Sequence, residues 1–437
     1  MDSARRLMVL GGLAAALGAN PLRAAPGADP AQVLDRWYRL VLELVRHTPT
    51  YSPPVASRAF ACVGITVFEA LASGSHGLRS LAGQVTDLPA APARTDAPHD
   101  AGAVLHGALA AAVRQWFGNT GPTGQRAMAA MDRRLGETVT AGLDPAEAAR
   151  SLAYGQAVAA HVLAWSLADG GAVVENMGFP QSWPAPRGPE SWVPTSLVRQ
   201  QQAPLLPHWG DNRPFAMPSG NACPLPPPPA YSEEPGSAFH AEAMEVYTVT
   251  RNLTDEQRLI ARFWSDDPML SPTPPGHWIS IALDLLDTDG ADAPRRAEVL
   301  ALLGIAMADA FIGCWHSKFE FDLLRPVTYI RRVIDPAWQP MLITPPFPEY
   351  PSGHSTQSGA AEVVLAHLFG PDRAFDDATH VDEGMPVRRY PGFRAAAEEA
   401  GISRLYGGIH FRAAIDRGLE QGRCIGAHAI ALRTRGA

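Results

Sequence analysis

Lysine occurs once in these 437 residues, at position 318, in a chain whose 36 basic residues are otherwise all arginine. Arg325 follows seven positions later, about 20° from the same face of a helix and two turns along, so both cationic heads can reach one point. Pro326 disfavours a helical conformation at the residue before it, and the pattern predicts Arg325 as the last residue of the helix that carries Lys318. The bland alternative is a pair of surface cations tied to Glu320 and Asp322 as helical neighbours. A second stretch, FPEYPSGHSTQSGAAEVVLAHLFG from Phe347 to Gly370, breaks the chain with prolines just before a helix that begins around His354. Amides of Ser352, Gly353 and His354 at that helix start form an expected anion cradle, because the first N–H groups of a helix lack partners and its end is electropositive. A Ser-Gly turn capping a helix is common, and MPSGNAC at Met217 shows the same tripeptide with no histidine and no helix after it. A third stretch, ISRLYGGIHFRAAIDRG, places Arg404 and His410 six residues apart, with Gly407 and Gly408 turning the chain so that His410 opens or enters the last long helix. A lone histidine is ordinarily a satisfied core residue. The set of two arginines, one lysine, an amide nest and two histidines instead suits a tetrahedral oxyanion. Arginine offers planar bidentate contact to such an ion, and lysine a compact charge that can aim at one oxygen.

The elements that must position these residues are helical. From Asp29 to about Gly171 the chain is rich in Ala, Leu and Val at helical spacing, and Asp29 and Asp144 are each followed by proline, the chemistry of a cap and first turn. Fifteen of the 41 prolines lie between Met177 and Gly236, including PLPPPP at Pro224–Pro229, which predicts a long irregular connection wrapping the surface. Helical patterns return from Ala238, and neither half shows alternating β-branched runs bounded by hairpin turns. The expected fold is all-α: two helical bundles, at 26–176 and 237–437, around a Pro-rich connection at 177–236, with the active site in the C-terminal bundle. Residues 1–25 read as an export signal, with Arg5 and Arg6 ahead of a short Gly/Ala-rich apolar stretch, the layout of twin-arginine export to the periplasm or beyond. An ordinary signal peptide or an uncleaved anchor is the alternative. Losing it removes three arginines and one aspartate and takes the formal charge from −8 to about −10. No other stretch reads as apolar for long enough to cross a membrane. No basic patch or basic–aromatic run is present, which argues against nucleic acid as a partner. Apolar residues at 46% and charged ones at 18% describe a packed globular protein. Cys62, Cys223, Cys314 and Cys424 include no CxxC pair, so zinc is disfavoured, and their spacing selects none of the three disulfide pairings. Apolar helical surfaces permit a homodimer, and nothing in the sequence selects one.

In these three stretches the sequence resembles the superfamily of vanadium-dependent haloperoxidases and related acid phosphatases, and within it the chloroperoxidase-like bacterial type. The signature Lys-x6-Arg-Pro, Pro-Ser-Gly-His and Ser-Arg-x3-Gly-x-His is matched in order by Lys318 to Arg325-Pro326, by Pro351-Ser352-Gly353-His354, and by Ser403-Arg404 with Gly408 and His410. The resemblance covers roughly the last 120 residues directly. It implies vanadate as cofactor, held by Lys318, Arg325, Ser352, Gly353 and Arg404, with His410 as the axial ligand to the metal. It further implies His354 as acid–base residue and Lys318 as the group that polarises a bound oxygen for attack by halide. Hydrogen peroxide, halide and a small organic acceptor are the implied partners, and hypohalous acid the implied product. Trp315 and Phe347 match apolar positions near the halide site of chloroperoxidase-like members. In the phosphatase branch His410 would be the nucleophile and His354 the acid for the leaving group. That branch often carries an aspartate four residues after the nucleophile, where this chain has Ala414, while Asp416 points about 120° away on a helix. What orients His410 is left open, a backbone carbonyl being one candidate. Asp266 and Asp267 are candidates for orienting Arg325 or Arg404, or form an exposed acidic pair. An oxyanion binder without turnover is the third reading.

Overall fold

The computed structural model describes residues 28–436 apart from 75–76, 175–182, 185–187, 197–202 and 268. The expected export segment, residues 1–25, lies outside the described residues, as does part of the Pro-rich connection. The first half forms α1 (Pro30–Arg46), α2 (Pro53–Ala72), α3 (Ala101–Trp116), α4 (Pro122–Thr140) and α5 (Pro145–Ser166). The second half forms α6 (Ala238–Arg251), α7 (Asp255–Phe263), α8 (Thr273–Thr288), α9 (Ala293–Phe321), α10 (Pro326–Val333), α11 (Gly353–Phe369), α12 (Phe393–Tyr406) and α13 (Arg412–Ile430). The caps are as the sequence predicts: the Asp29 carboxylate accepts from Ala31 N (3.0 Å), and the Asp144 carboxylate from Ala146 N (2.9 Å) and Glu147 N (3.1 Å). Each satisfies amides that the first helical turn leaves unpaired.

The helices of the two halves share one buried core, in which Leu34, Phe60 and Leu109 join Trp264, Leu303 and Ile425. Its axis is α9, which lies across α2 so closely that a Cβ on Gly64 would stand 2.9 Å from Ala301 Cα and one on Gly304 3.0 Å from Ala61 Cα. Backbone-to-backbone contact of this kind requires glycine at the crossing. One expectation needs correction here, because α2 and α9 are long and apolar enough by composition to cross a membrane. Their most apolar windows are 94% and 100% buried inside the fold, so they are core helices.

Arg325 is not the end of the lysine's helix. That helix stops at Phe321 because Asp322 takes a left-handed conformation (φ 48°, ψ 37°), and Arg325 is the extended N-cap of α10, with Pro326 at its first position. The intervening residues pair with the Pro-rich connection: Trp192 N donates to Asp322 O (2.7 Å) and Leu324 N to Glu190 O (2.8 Å). In its described residues the connection is irregular, as the prolines predict, but it does more than cover the surface. Leu206, Trp209, Phe215 and Met217 are buried in the core, and the Asp309 carboxylate of α9 accepts from the amides of Phe215, Ala216 and Met217 at 2.6–2.8 Å. A disulfide between Cys223 and Cys424 ties the same segment to α13, a pairing the sequence left open. A small antiparallel ladder of β1 (Phe375–Asp377) and β2 (Arg388–Tyr390), in register Phe375 to Tyr390, was not expected from the sequence. Strands of three residues are too short for alternation to stand out.

Candidate functional site

Lys318, Arg325, Phe347, Ser352, His354, Arg404 and His410 converge where the C-terminal end of α9, the start of α10, the N-terminus of α11, the last turn of α12 and the entry to α13 meet. Lys318 is fully buried and donates from Nζ to the carbonyls of Pro348 (2.8 Å), Glu349 (2.9 Å) and Pro351 (2.5 Å). All three ammonium donors are therefore spent on the loop that leads into α11, and the lysine fixes that loop as well as charging the site. Arg325 donates from Nε to Phe347 O (2.9 Å) and from Nη1 to Ile409 O (3.0 Å) and His410 Nε2 (3.0 Å). Arg404 donates from Nη1 to Trp264 O (2.7 Å). The Phe347 ring lies 5.2 Å from Lys318 Nζ and 5.0 Å from the Arg325 guanidinium, with Trp315 against it at 4.8 Å, so an aromatic wall borders the cations. Trp315 is itself held by a hydrogen bond from Nε1 to Leu205 O (3.1 Å). Lys318 and Arg325 are both fully buried and bonded to backbone carbonyls, which removes the surface-pair alternative.

The amide cradle is narrower than expected. Ser352 N donates to Ala414 O (3.0 Å) and its hydroxyl caps α11 by accepting from Ser355 N (3.3 Å), so the open amides at that helix start are those of Gly353 and His354.

His410 is oriented by a residue that sequence reasoning missed. Its Nδ1 lies 2.8 Å from Glu349 Oε1, and the same oxygen accepts from Phe411 N at 2.8 Å. Because Arg325 can only donate, His410 Nε2 accepts from it, the ring proton sits on Nδ1, and the Nε2 lone pair faces the guanidinium. Glu349 takes the orienting part that Ala414 cannot, and the backbone carbonyl proposed for that part is not used. A carboxylate alone among prolines and aromatics in FPEYPSGH was the available signal. His410 directly precedes Phe411, the N-cap of α13, and so stands at its entry as predicted.

Burial governs the electrostatics. It pushes Lys318 down to about 7, with Arg325 adding repulsion, Arg325 down to about 9 and Arg404 down to about 10. It raises Glu349 to about 8, against the pull of Arg325 and Lys318. His354 and His410 are held well below the usual histidine range, first by burial and then by neighbouring cations, chiefly Arg404 for the former and Arg325 for the latter. Both imidazoles are neutral near pH 7. His354, 16% exposed at its side chain, directs Nε2 toward Asp266 Oδ2 at 3.8 Å.

Asp266 and Asp267 bear on Arg404, one of the two arginines expected, and not on Arg325. Asp267, with Asp266 behind it, supports the charge of Arg404 electrostatically, while Asp266 accepts from His277 Nδ1 at 2.9 Å. His277 Nε2 bonds Asp377 at 2.8 Å, so this imidazole lies between two carboxylates. Burial opposes its charge, but Asp266 and Asp377 raise it to about 10, and it is an imidazolium. His380 adds a 3.4 Å contact to Asp266 and bonds Glu383 at 2.8 Å. Trp264 stacks on His277 at 4.3 Å. This brace behind His354 had no sequence signal, since His277, Asp377 and His380 come from α8, β1 and the turn after it.

The donor set fits vanadate. Arg325 Nη2 and Arg404 Nε are buried with no hydrogen-bond partner among the described residues, and unpartnered buried donors are costly unless an anion satisfies them. Together with the His410 lone pair they provide for a tetrahedral oxometallate carrying several negative oxygens and accepting one nitrogen ligand.

Comparison with known proteins agrees. Residues 298–435 match the family described as VCPO second helical-bundle domain. The vanadium chloroperoxidase of Curvularia inaequalis is 37% identical over 167 residues, a match covering 26% of this chain and 27% of that protein. The chain thus spans little more than a quarter of the length of that curated relative. The crystal structure of the first bacterial vanadium-dependent iodoperoxidase superposes with a TM-score of 0.85 at 36% identity, covering 96% of this chain and 99% of the other. A holo-type bacterial vanadium-dependent chloroperoxidase shares the fold, with a TM-score of 0.66 at 19% identity over 88% of this chain and 92% of that one. With its site geometry and a relative aligned over nearly its whole length, the chain belongs to the vanadium-dependent haloperoxidases, peroxidases whose cofactor is vanadate.

Proposed function

We propose that this protein oxidises halide with hydrogen peroxide, X⁻ + H2O2 + H⁺ → HOX + H2O, and that the hypohalous acid halogenates small organic acceptors. The observation that carries this reading is the pair of buried arginine N–H groups, Arg325 Nη2 and Arg404 Nε, with no partner among the described residues, beside a histidine whose Nε2 carries its lone pair. Arg325, Arg404 and the amides of Gly353 and His354 hold the oxyanion, and His410 Nε2 is the nitrogen ligand. Vanadate, when bound, supplies a Lewis-acid centre that activates peroxide without changing oxidation state. His354, neutral and facing Asp266, takes the proton from incoming peroxide and returns it later in the cycle. Lys318, its three N–H groups committed to carbonyls of the loop, would lend its positive charge to the held oxyanion from behind that loop. Trp315 and Phe347 form the apolar wall of the halide pocket, and exclusion of water there strengthens each of these interactions.

The acid-phosphatase alternative, with His410 as nucleophile, regains one point, since Glu349 supplies the orienting carboxylate that Ala414 cannot, but the similar proteins named above are haloperoxidases, which favours the peroxidase reading. We further propose that the protein is exported through a twin-arginine signal at 1–25 and works in the periplasm or outside the cell. The Cys223–Cys424 disulfide is in keeping with an oxidising compartment. Vanadate-loaded protein is expected to consume peroxide only with halide present, and Lys318→Ala and His410→Ala each to abolish turnover. Hydrolysis of p-nitrophenyl phosphate by vanadate-free protein, inhibited by vanadate, would instead establish the phosphatase.

A further inference from the structure

We infer that Trp264 and Glu399 are positioning residues for the bound oxyanion: Glu399 locks the Trp264 indole, and the Trp264 carbonyl so fixed aims the Arg404 guanidinium into the site. The inference rests on the reading of Arg404 as a donor to the oxyanion. Arg404 is buried, and its one hydrogen bond among the described residues runs from Nη1 to Trp264 O (2.7 Å), while Nε has no partner there. The direction of the guanidinium is thus set by a single carbonyl. That carbonyl is free to accept because Trp264 is the C-cap of α7, where the intrahelical ladder has run out of donors.

The indole is held in turn. Its Nε1 donates to Glu399 Oε1 (3.1 Å), and its ring stacks on His277 at 4.3 Å, with Trp278 at 5.8 Å and Tyr390 at 6.3 Å. The Glu399 carboxylate is itself fixed by Arg388 Nε and Nη2 (both 2.7 Å) and by Tyr390 OH (2.6 Å), all from β2. Glu399 and Arg404 stand five residues apart on α12, so one helix grips the tryptophan both at its ring N–H and at its carbonyl. Packing alone does not call for an indole here. An apolar ring would cover His277 without bringing a buried N–H that must find an acceptor, and the acceptor it finds is on the helix that carries Arg404.

Tungstate, a tetrahedral dianion, is the probe, titrated by calorimetry into vanadate-free protein, with thermal melts to check folding. Trp264→Phe keeps an aromatic ring against His277 and removes the N–H, and it is expected to weaken tungstate binding about three- to tenfold. Glu399→Leu is expected to do the same, whereas Glu399→Gln, which keeps an oxygen acceptor for the indole, is expected to restore most of the affinity. The deciding comparison uses Arg404→Met, in which the carbonyl has nothing left to aim. In that background Trp264→Phe is expected to have no further effect, while in Arg325→Met it still costs its full factor, because only Arg404 is coupled to Trp264. Equal loss from Trp264→Phe in all three backgrounds, or unchanged affinity in folded Trp264→Phe and Glu399→Leu, overturns the inference while leaving Arg404 as a donor. An Arg404→Met variant that binds tungstate as tightly as wild type overturns both.

Discussion

At the scale of single residues, Lys318 is the informative case. Its ammonium is used up by three carbonyls of the loop, and its burial leaves it titrating at about 7. Below that value it is charged. Above it the amine has one N–H fewer than the three carbonyls require and no longer attracts an anion. Binding of tungstate, a dianion throughout this range, is thus expected to weaken as pH rises from 6 to 9, and a Lys318→Met variant to lose that dependence. Titration calorimetry across the range is the check, and a flat profile in wild type would contradict it. Arg325, His354, Arg404 and His410 were legible because each lies within a few residues of a proline or glycine at an element end, whereas Lys318, four residues before the left-handed Asp322 that ends its helix, stood out as the single lysine. Glu349 was not legible, because the partner that orients a histidine need only be near in space. Ser352 was read half correctly: its position at the helix start was visible, but not that Ala414 O would claim its amide.

At the scale of elements, the site depends on how helices stop. Asp322 ends α9 in a left-handed turn, and this lets Arg325 lead a new helix and swing its guanidinium toward His410. Seven-residue spacing predicted the convergence of Lys318 and Arg325 for a reason that does not hold, since the helix does not continue between them. Behind His354, α8 and the β1–β2 ladder supply the His277 brace. His277 has its folded-state pKa raised to about 10, so its contribution to stability is complete below the unfolded value of about 6.5 and fades as pH rises through about 10. Replacing it leaves Asp266 and Asp377 buried without their cation. His277→Leu is expected to cost about 3–5 kcal/mol at pH 6 and markedly less above pH 10. Denaturant melts of both proteins at the two pH values measure this, and a penalty independent of pH would show that His277 is held neutral.

At the scale of the molecule, an all-α fold was legible because helical spacing, caps and prolines agreed along the chain. The shared core was not, because periodicity shows which face of a helix is apolar but not which helix covers it. The run of prolines was visible as an irregular connection, while its burial depends on Asp309 and on the disulfide to α13, contacts between residues far apart in sequence. Removing that crosslink in Cys424→Ser is expected to cost about 2–4 kcal/mol in global stability. Thermal melts with and without reductant test it, and an unchanged melting temperature would mean that packing alone holds the connection. The most direct test of the whole account is peroxide consumption by the purified protein with iodide or bromide, before and after addition of orthovanadate. Turnover that needs both halide and vanadate is the predicted result. Vanadate bound at His410 with no halide-dependent consumption of peroxide would contradict it.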